Sequence, residues 1–245
     1  MSRLALVTGG SRGIGYSIAE GLLRQGRRVV ITGRSVEALN EATARLSPLG
    51  EIRGIVLDAT DSDRALEVCS AEPFDILVCN VGMGYSGSVI TTSGEDWRRV
   101  LDTNVTSAFD AIGAVLPGML ERSWGRIVTI GSMGSHRPLR LGVAYAASKH
   151  ALLGLTRSIA EDTRGTGVTV NMVAPAFVRT EMMAETAALI AAGGGMSQEE
   201  AERRLGNLSN LGRLIEPEEV ADAVLELTTD DLDVTGVSVP LGFDL

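Results

Sequence analysis

Lysine is almost missing from this chain. Of 22 basic residues, Lys149 is the one lysine and the rest are arginine. A bias of that size reflects coding preference more than fold. It singles out position 149, where a compact ammonium with a movable pKa stands in place of a broad planar guanidinium. Cysteine is scarce as well. Cys69 and Cys79 are too few for a disulfide framework or a four-ligand zinc site, and their apolar surroundings suit small buried hydrophobes. With only two histidines, His136 and His150, and no ligand cluster to support them, no metal site is expected. Positive charge is in deficit: the net charge is −9, which argues against a nucleic-acid partner, because phosphate binding needs a basic face. No apolar run reaches the roughly 18 residues of a membrane-spanning helix. The opening Met1-Ser2-Arg3-Leu4-Ala5-Leu6-Val7-Thr8-Gly9 lacks a signal peptide's long apolar region and reads as a strand entering a turn. A cytoplasmic protein with no membrane partner is expected. Internal repeats, low-complexity tracts and linkers are also missing.

Glycine, in contrast, is abundant, at 29 of 245 residues and without a Gly-X-Y period. That points to tight turns and close backbone approaches. Short apolar runs alternate with helical patterns throughout. Strands are expected at 4–8, 28–32, 52–57, 76–80, 126–131, 168–174 and 237–239. Helices are expected at 14–25, from a Ser35 cap to Leu46, after Asp61, from Ser93 or Gly94 onward, and at 145–164. The strands are short, β-branched and continuously apolar, as when both faces are covered. This alternation specifies an α/β fold: one domain over 1–245, built on a doubly wound parallel sheet flanked by helices. The rhythm breaks at 180–211, an Ala- and Met-rich stretch interrupted by Gly193-Gly194-Gly195. It resumes at Ser197-Gln198-Glu199-Glu200, a capping-box start. A helical lid hinged by the three glycines is expected there.

The first strand ends in Thr8-Gly9-Gly10-Ser11-Arg12-Gly13-Ile14-Gly15. Glycines there let backbone N–H groups approach a ligand, and the following helix points its positive end at the same spot, an arrangement that suits a dinucleotide pyrophosphate. A site for NAD(H) would carry an acid at the end of the second strand to accept from the ribose 2′-hydroxyl. Here Gly33 takes that place and Arg34 follows. With Arg12 nearby, two guanidiniums and no carboxylate favour a 2′-phosphate, hence NADP(H) over NAD(H).

Tyr145-Ala-Ala-Ser-Lys149 opens the helix after the fifth strand. Residues i and i+4 share a helix face, so phenol and ammonium project side by side. Ser132 lies at the carboxyl end of the preceding strand, the edge where open α/β sheets bind ligands. A cation beside the phenol would draw its pKa down toward neutrality.

These motifs together, with Asp58, Cys79-Asn80-Val81-Gly82, Asn104 and Pro175 to Thr180, resemble the short-chain dehydrogenase/reductase family over essentially the whole chain. Within it the chain resembles ketoreductases of the 3-oxoacyl-(acyl-carrier-protein) reductase kind, with an extended Rossmann fold. The resemblance implies Tyr145 as general acid/base, Ser132 as hydrogen-bond donor to the substrate oxygen, and Lys149 as holder of the nicotinamide ribose. Asn104 would anchor a water on the proton path. Gly9, Ser11, Arg12, Gly13, Ile14, Gly15, Arg34, Asp58, Asn80, Gly82, Val178 and Thr180 would line the cofactor with Tyr145 and Lys149, Asp58 at the adenine and Val178 and Thr180 at the carboxamide. Three departures bear on substrate and subunit packing more than on chemistry: Cys79-Asn80-Val81-Gly82 for Asn-Asn-Ala-Gly, Pro175-Ala176 for Pro-Gly, and an end without Asp-Gly-Gly. The function expected is NADPH-dependent reduction of a small-molecule carbonyl. The alternatives are the same machinery run as a secondary alcohol dehydrogenase, or a cofactor-sensing protein without turnover. Met83, Met133, Met182, Met183 and Met196 fall on the expected pocket loops and lid, His136 is a candidate for substrate contact, and Arg137 and Arg140 flank the site's mouth. The helices around 100–116 and 146–159 are apolar over much of their circumference, and the resemblance implies that they pair across two-fold axes, giving a homotetramer or, failing that, a dimer.

Overall fold

The computed structural model describes residues 2–245. Seven strands, β1 (Leu4–Val7), β2 (Arg28–Gly33), β3 (Ile52–Val56), β4 (Ile76–Cys79), β5 (Gly125–Ile130), β6 (Val168–Pro175) and β7 (Ser238–Leu241), form one all-parallel sheet in the order β3-β2-β1-β4-β5-β6-β7. Every residue of β1, β4, β5 and β6 is buried, which is why these segments read as unbroken apolar runs rather than alternating ones. The nine α-helices are α1 (Gly13–Arg24), α2 (Val36–Leu46), α3 (Ser62–Ser70), α4 (Gly94–Leu101), α5 (Ser107–Glu121), α6 (Val143–Asp162), α7 (Glu181–Gly194), α8 (Gln198–Gly206) and α9 (Pro217–Glu226). On one face of the sheet, Ile18 and Leu22 of α1 and Val220 and Val224 of α9 close a core over β1 and β2. On the other, Ile112 and Met119 of α5 and Leu152 of α6 do the same over β4 to β6. The chain winds outward from β1 to β3 and then returns to place β4 beside β1. That reversal opens a crevice at the strands' carboxyl ends.

The Ser35 cap read from the sequence forms, and Asp61 and Ser93 cap the two helices that follow them. Ser35 accepts from the Ala38 N–H at 3.1 Å, Asp61 from Arg64 at 3.1 Å and Ser93 from Asp96 at 2.9 Å. Four features differ from expectation. The helix from Ser93 is not continuous, since a π-helical turn at Asp102–Thr106 divides α4 from α5. Helix α6 begins at Val143, two residues before Tyr145. Helix α9 was not anticipated, although Pro217 at its first position and the reciprocal caps of Glu216 and Glu219 are start signals. The three-glycine hinge is also corrected. Helix α7 runs through Gly193 and Gly194, and only Gly195, at φ +62°, breaks it. Ser197 then caps α8 through the Glu200 N–H at 3.2 Å.

Candidate active site

The glycine-rich loop lies where the crevice begins. Gly9 has φ +65°, and a Cβ on Gly15 would stand 2.4 Å from the Gly9 carbonyl and 2.6 Å from Asn80 Nδ2, so the turn closes only with glycine there. Asn80 braces it, donating to the carbonyls of Thr8 and Gly9 at 3.0 Å each. The first turn of α1 has no side-chain cap and no acidic residue, which leaves its N–H groups and positive end open to an anion. Ile14 packs on the core beneath. Ser11 reaches across to Gly33, where a Cβ would meet its Oγ at 3.2 Å, and so brings the loop against the end of β2 beside Arg34. The donor set of this cradle fits a dinucleotide carrying a 2′-phosphate, with Arg34 exposed at its outer end.

Asp58, just beyond β3, accepts from the Thr60 N–H at 3.0 Å and its hydroxyl at 2.8 Å. These bonds, with Arg34 nearby, hold its carboxyl below the usual range. Arg12 takes a different course from the one expected. Its guanidinium pairs with Glu181, the first residue of α7. The next residue, Met182, lies 3.7 Å from the Cβ position of Gly84, and the preceding one, Thr180, lies 3.5 Å from that of Gly13. Three consecutive residues thus bridge the glycine-rich loop and the loop after β4. Thr180 also caps α7, accepting from the Met183 N–H at 3.3 Å, and Val178 is buried beside Ile215.

Ser132, Tyr145 and Lys149 gather at the carboxyl end of β5. Ser132 Oγ accepts from the Gly134 N–H at 3.1 Å as the cap of a 3-10 turn at Met133–Ser135. One of its two lone pairs is thereby engaged, and its proton remains to donate. A Cβ on Gly134 would touch the Tyr145 ring at 3.3 Å and Ser132 Oγ at 3.5 Å, so the two hydroxyl-bearing side chains converge on one point. Leu139 reaches the same place, at 2.9 Å from that Cβ position, an apolar wall that spacing alone did not reveal. Lys149 is buried, and its Nζ donates to the Ile130 carbonyl at 2.9 Å. Beside it is Gly82, whose Cβ position lies 3.4 Å from both Lys149 Nζ and Asn104 Oδ1.

The expected fall in the phenol's pKa is not found in the chain alone. Burial raises Tyr145, opposed only by the Ser132 hydroxyl. Lys149, 5.9 Å from the Tyr145 ring centre, is itself lowered to about 8 by burial. Desolvation outweighs attraction because the ammonium is turned toward a carbonyl.

Asn104 is completely buried on the π-helical turn. Its Oδ1 accepts from the Met83 N–H at 2.7 Å, while its Nδ2 donates to the Met83 carbonyl at 3.1 Å and to Ser148 Oγ at 2.9 Å. Ser148 in turn donates to the Tyr145 carbonyl at 2.7 Å. One amide thus ties the loop after β4 to the first turns of α6, with both Nδ2 protons engaged and one lone pair of Oδ1 still open.

Other expected contacts are redirected. His136 bonds Ser238 Oγ of β7 at 2.9 Å and tilts against Phe243. Arg137 donates to the Asp244 carbonyl and stacks over Phe243. Met183 and Met196 pack in a small core of α7 and α8 with Ala187, Ala201 and Leu205, and Met133 leans on the main core. Met83 and Met182 remain at the crevice. Both cysteines are buried, with burial raising Cys69 to about 11 and Cys79 further.

A family profile described as short chain dehydrogenase matches residues 3–189. A ketoacyl reductase of the granaticin polyketide synthase from Streptomyces violaceoruber is 37% identical over 236 residues, covering 93% of this chain and 87% of the relative. The 3-oxoacyl-(acyl-carrier-protein) reductase of Escherichia coli is 35% identical over 236 residues, covering 94% and 91%. Among solved structures, an actinorhodin polyketide ketoreductase variant with NADPH superposes at a TM-score of 0.94 with 33% identity, covering 98% of this chain and 96% of that one. A 3-oxoacyl-(acyl-carrier-protein) reductase from Agrobacterium tumefaciens with NADP bound gives 0.88 and 33%, covering 98% and 92%.

Proposed function

The chain belongs to the short-chain dehydrogenase family, and we propose that within it the protein is an NADPH-dependent ketoreductase with Tyr145 as proton donor. The observation that carries this reading is the convergence of Ser132 and Tyr145 on Gly134, with Lys149 one helical turn behind. The cofactor supplies hydride when bound. Ser132, held by the Gly134 N–H, can donate its proton to the substrate oxygen, a bond that would strengthen as negative charge develops. A phenol's ordinary pKa near 10, which burial moves further up here, keeps the Tyr145 proton in place at neutral pH, the state a donor must start from. Lys149 would hold the nicotinamide ribose and compensate the phenolate left after proton transfer. The Asn104 amide fixes the Met83 loop beside the site, and its remaining Oδ1 lone pair could anchor a water on the proton path.

The similar reductases, whose names specify 3-oxoacyl groups and polyketides, support a 3-oxoacyl or polyketide-like ketone as substrate. We take residues 1–245 as one domain carrying both sites, with 180–211 as lid, since Thr180, Glu181 and Met182 already span the crevice. The protein is read as cytoplasmic; among the described residues no helix is long and apolar enough to cross a membrane. Phe109 on α5 is 59% exposed, which favours burial in a homotetramer or dimer; light scattering tests this. The reaction is tested by Tyr145→Phe, which keeps the ring and removes the proton. Turnover of a 3-oxo ester should fall by at least ~10², with NADPH affinity held within about twofold. A variant that keeps its turnover overturns the reading.

A further inference from the structure

Thr129 of β5 and Thr156 of α6 are completely buried, and their hydroxyl oxygens lie 2.8 Å apart. Thr156 donates its one proton to the Leu152 carbonyl at 2.8 Å, so the bond within the pair runs from Thr129 to Thr156. The core on this side of the sheet is otherwise apolar, with Ile127, Leu152, Leu153, Val170 and Met172 among its members. Stability does not call for hydroxyls in such a place. Two valines would fill nearly the same space, and replacing both partners of a buried hydrogen bond by apolar groups of the same shape is close to neutral.

Apolar contact is non-directional. It fixes the height of a helix along a strand less sharply than a hydrogen bond, which is confined in distance and angle. Among the described residues, side chains of α6 bond the sheet at two points, Thr156 at Thr129 and Lys149 at the Ile130 carbonyl, 2.9 Å away. The two partners are consecutive on β5. Tyr145, Lys149 and Thr156 share one face of α6, because their spacings of four and seven residues return to the same side of a helix. Lys149 belongs to the chemistry, whereas the threonine pair takes no part in it. We infer that Thr156, held by Thr129, is a positioning residue: it sets the height of α6 on β5, and with it the places of the Lys149 ammonium and the Tyr145 phenol at the crevice. The inference rests on the ketoreductase reading for what those two groups do.

The test is a cycle of variants read by turnover and by nucleotide binding. Thr129→Val/Thr156→Val should melt near the wild-type temperature. Its kcat for a 3-oxo ester should fall by about tenfold with KM held within about twofold, since a reacting group displaced by ~1 Å can cost up to ~10²-fold. NADPH affinity, measured by isothermal titration, should fall by about fivefold, part of what a charge-assisted hydrogen bond contributes. Thr156→Ser retains the hydroxyl and should stay within about twofold of wild type in both measurements. The same two valines placed in Lys149→Met should change NADPH affinity by less than about twofold, because the group through which the pair acts is gone. An equal loss in both backgrounds overturns the inference, since that marks a general loosening. Wild-type kcat and affinity in the valine pair overturn it too, as does a Thr156→Ser variant as impaired as the valines. If the valine pair does not fold, Thr129→Ala takes its place in both backgrounds under the same criteria, with Thr156 still bonded to Leu152. If wild type reduces no ester, the ketoreductase reading fails. The NADPH cycle still decides on the threonine pair, and it decides as well where turnover and binding disagree.

Discussion

Lys149 donates its ammonium to the carbonyl of Ile130 at 2.9 Å, within the buried crevice and with no carboxylate beside it. Its pKa falls from 10.5 to about 8. A lysine with a depressed folded-state pKa binds fewer protons folded than unfolded between those two values, so stability rises with pH across that window. Wild type should therefore gain stability relative to Lys149→Met between about pH 8 and 10.5, as read by urea midpoints at each pH. A constant difference would show that the ammonium is solvated in solution.

Lys149→Arg keeps the charge and changes its shape. A planar fork cannot occupy the place of a compact ammonium between Gly82 and the Ile130 carbonyl, where Nζ lies 3.4 Å from the Gly82 Cβ position. Turnover should fall by at least ~10², and NADPH should bind more weakly. Near-normal activity in this variant would mean that only a nearby positive charge is needed.

Cofactor choice should divide unequally between the two arginines. Arg34 stands exposed at the outer end of the cradle, and Arg34→Ala should weaken NADPH by about ten- to a hundredfold while leaving NADH nearly unchanged. Arg12 must first leave Glu181 to reach a phosphate. Glu181→Gln should therefore strengthen NADPH binding by a few-fold, the size expected of an exposed ion pair. Equal changes for both nucleotides in isothermal titration would remove the 2′-phosphate from the argument.

Removing the Asn104 amide exposes a different weakness. Asn104→Ala leaves the N–H and carbonyl of Met83 without their partner in a buried place. A loss of about 3 kcal/mol in unfolding free energy is expected from two orphaned groups. Urea denaturation measures it, and a cost below about 1 kcal/mol would show that water replaces the amide.

The chemistry-bearing residues were legible because each depends on local geometry. Tyr145 and Lys149 share a helix face by spacing, and Ser132 ends a strand whose apolar run is plain. What stayed hidden depends on contacts between distant segments. Arg137 reads as a free cation at the site's mouth until the segment after β7 brings Asp244 to it. The methionines of 180–211 read as pocket wall until α7 and α8 pack on each other and partly bury Met183 and Met196. The phenol's pKa direction could not be read either, because burial, rather than the adjacent cation, dominates it. Helix α9 is the exception: its caps at Glu216 and Glu219 were readable, and the signal went unused.

The π-helical turn at Asp102–Thr106 contains one residue more than an α-helical path would need. It acts as a phase shifter between two stretches of a single rod. Below it, α5 must aim Ala108, Ile112 and Val115 at the sheet; above it, α4 must aim Trp97 toward Val89 and Val143, and Asp96 at the Tyr85 hydroxyl, 3.4 Å away. A uniform helix fixes both bearings together. Drawing all five residues of the turn into α geometry would swing α4 by about 100° about its axis, carrying Trp97 away from the loop after β4 while the core beneath α5 stayed in place.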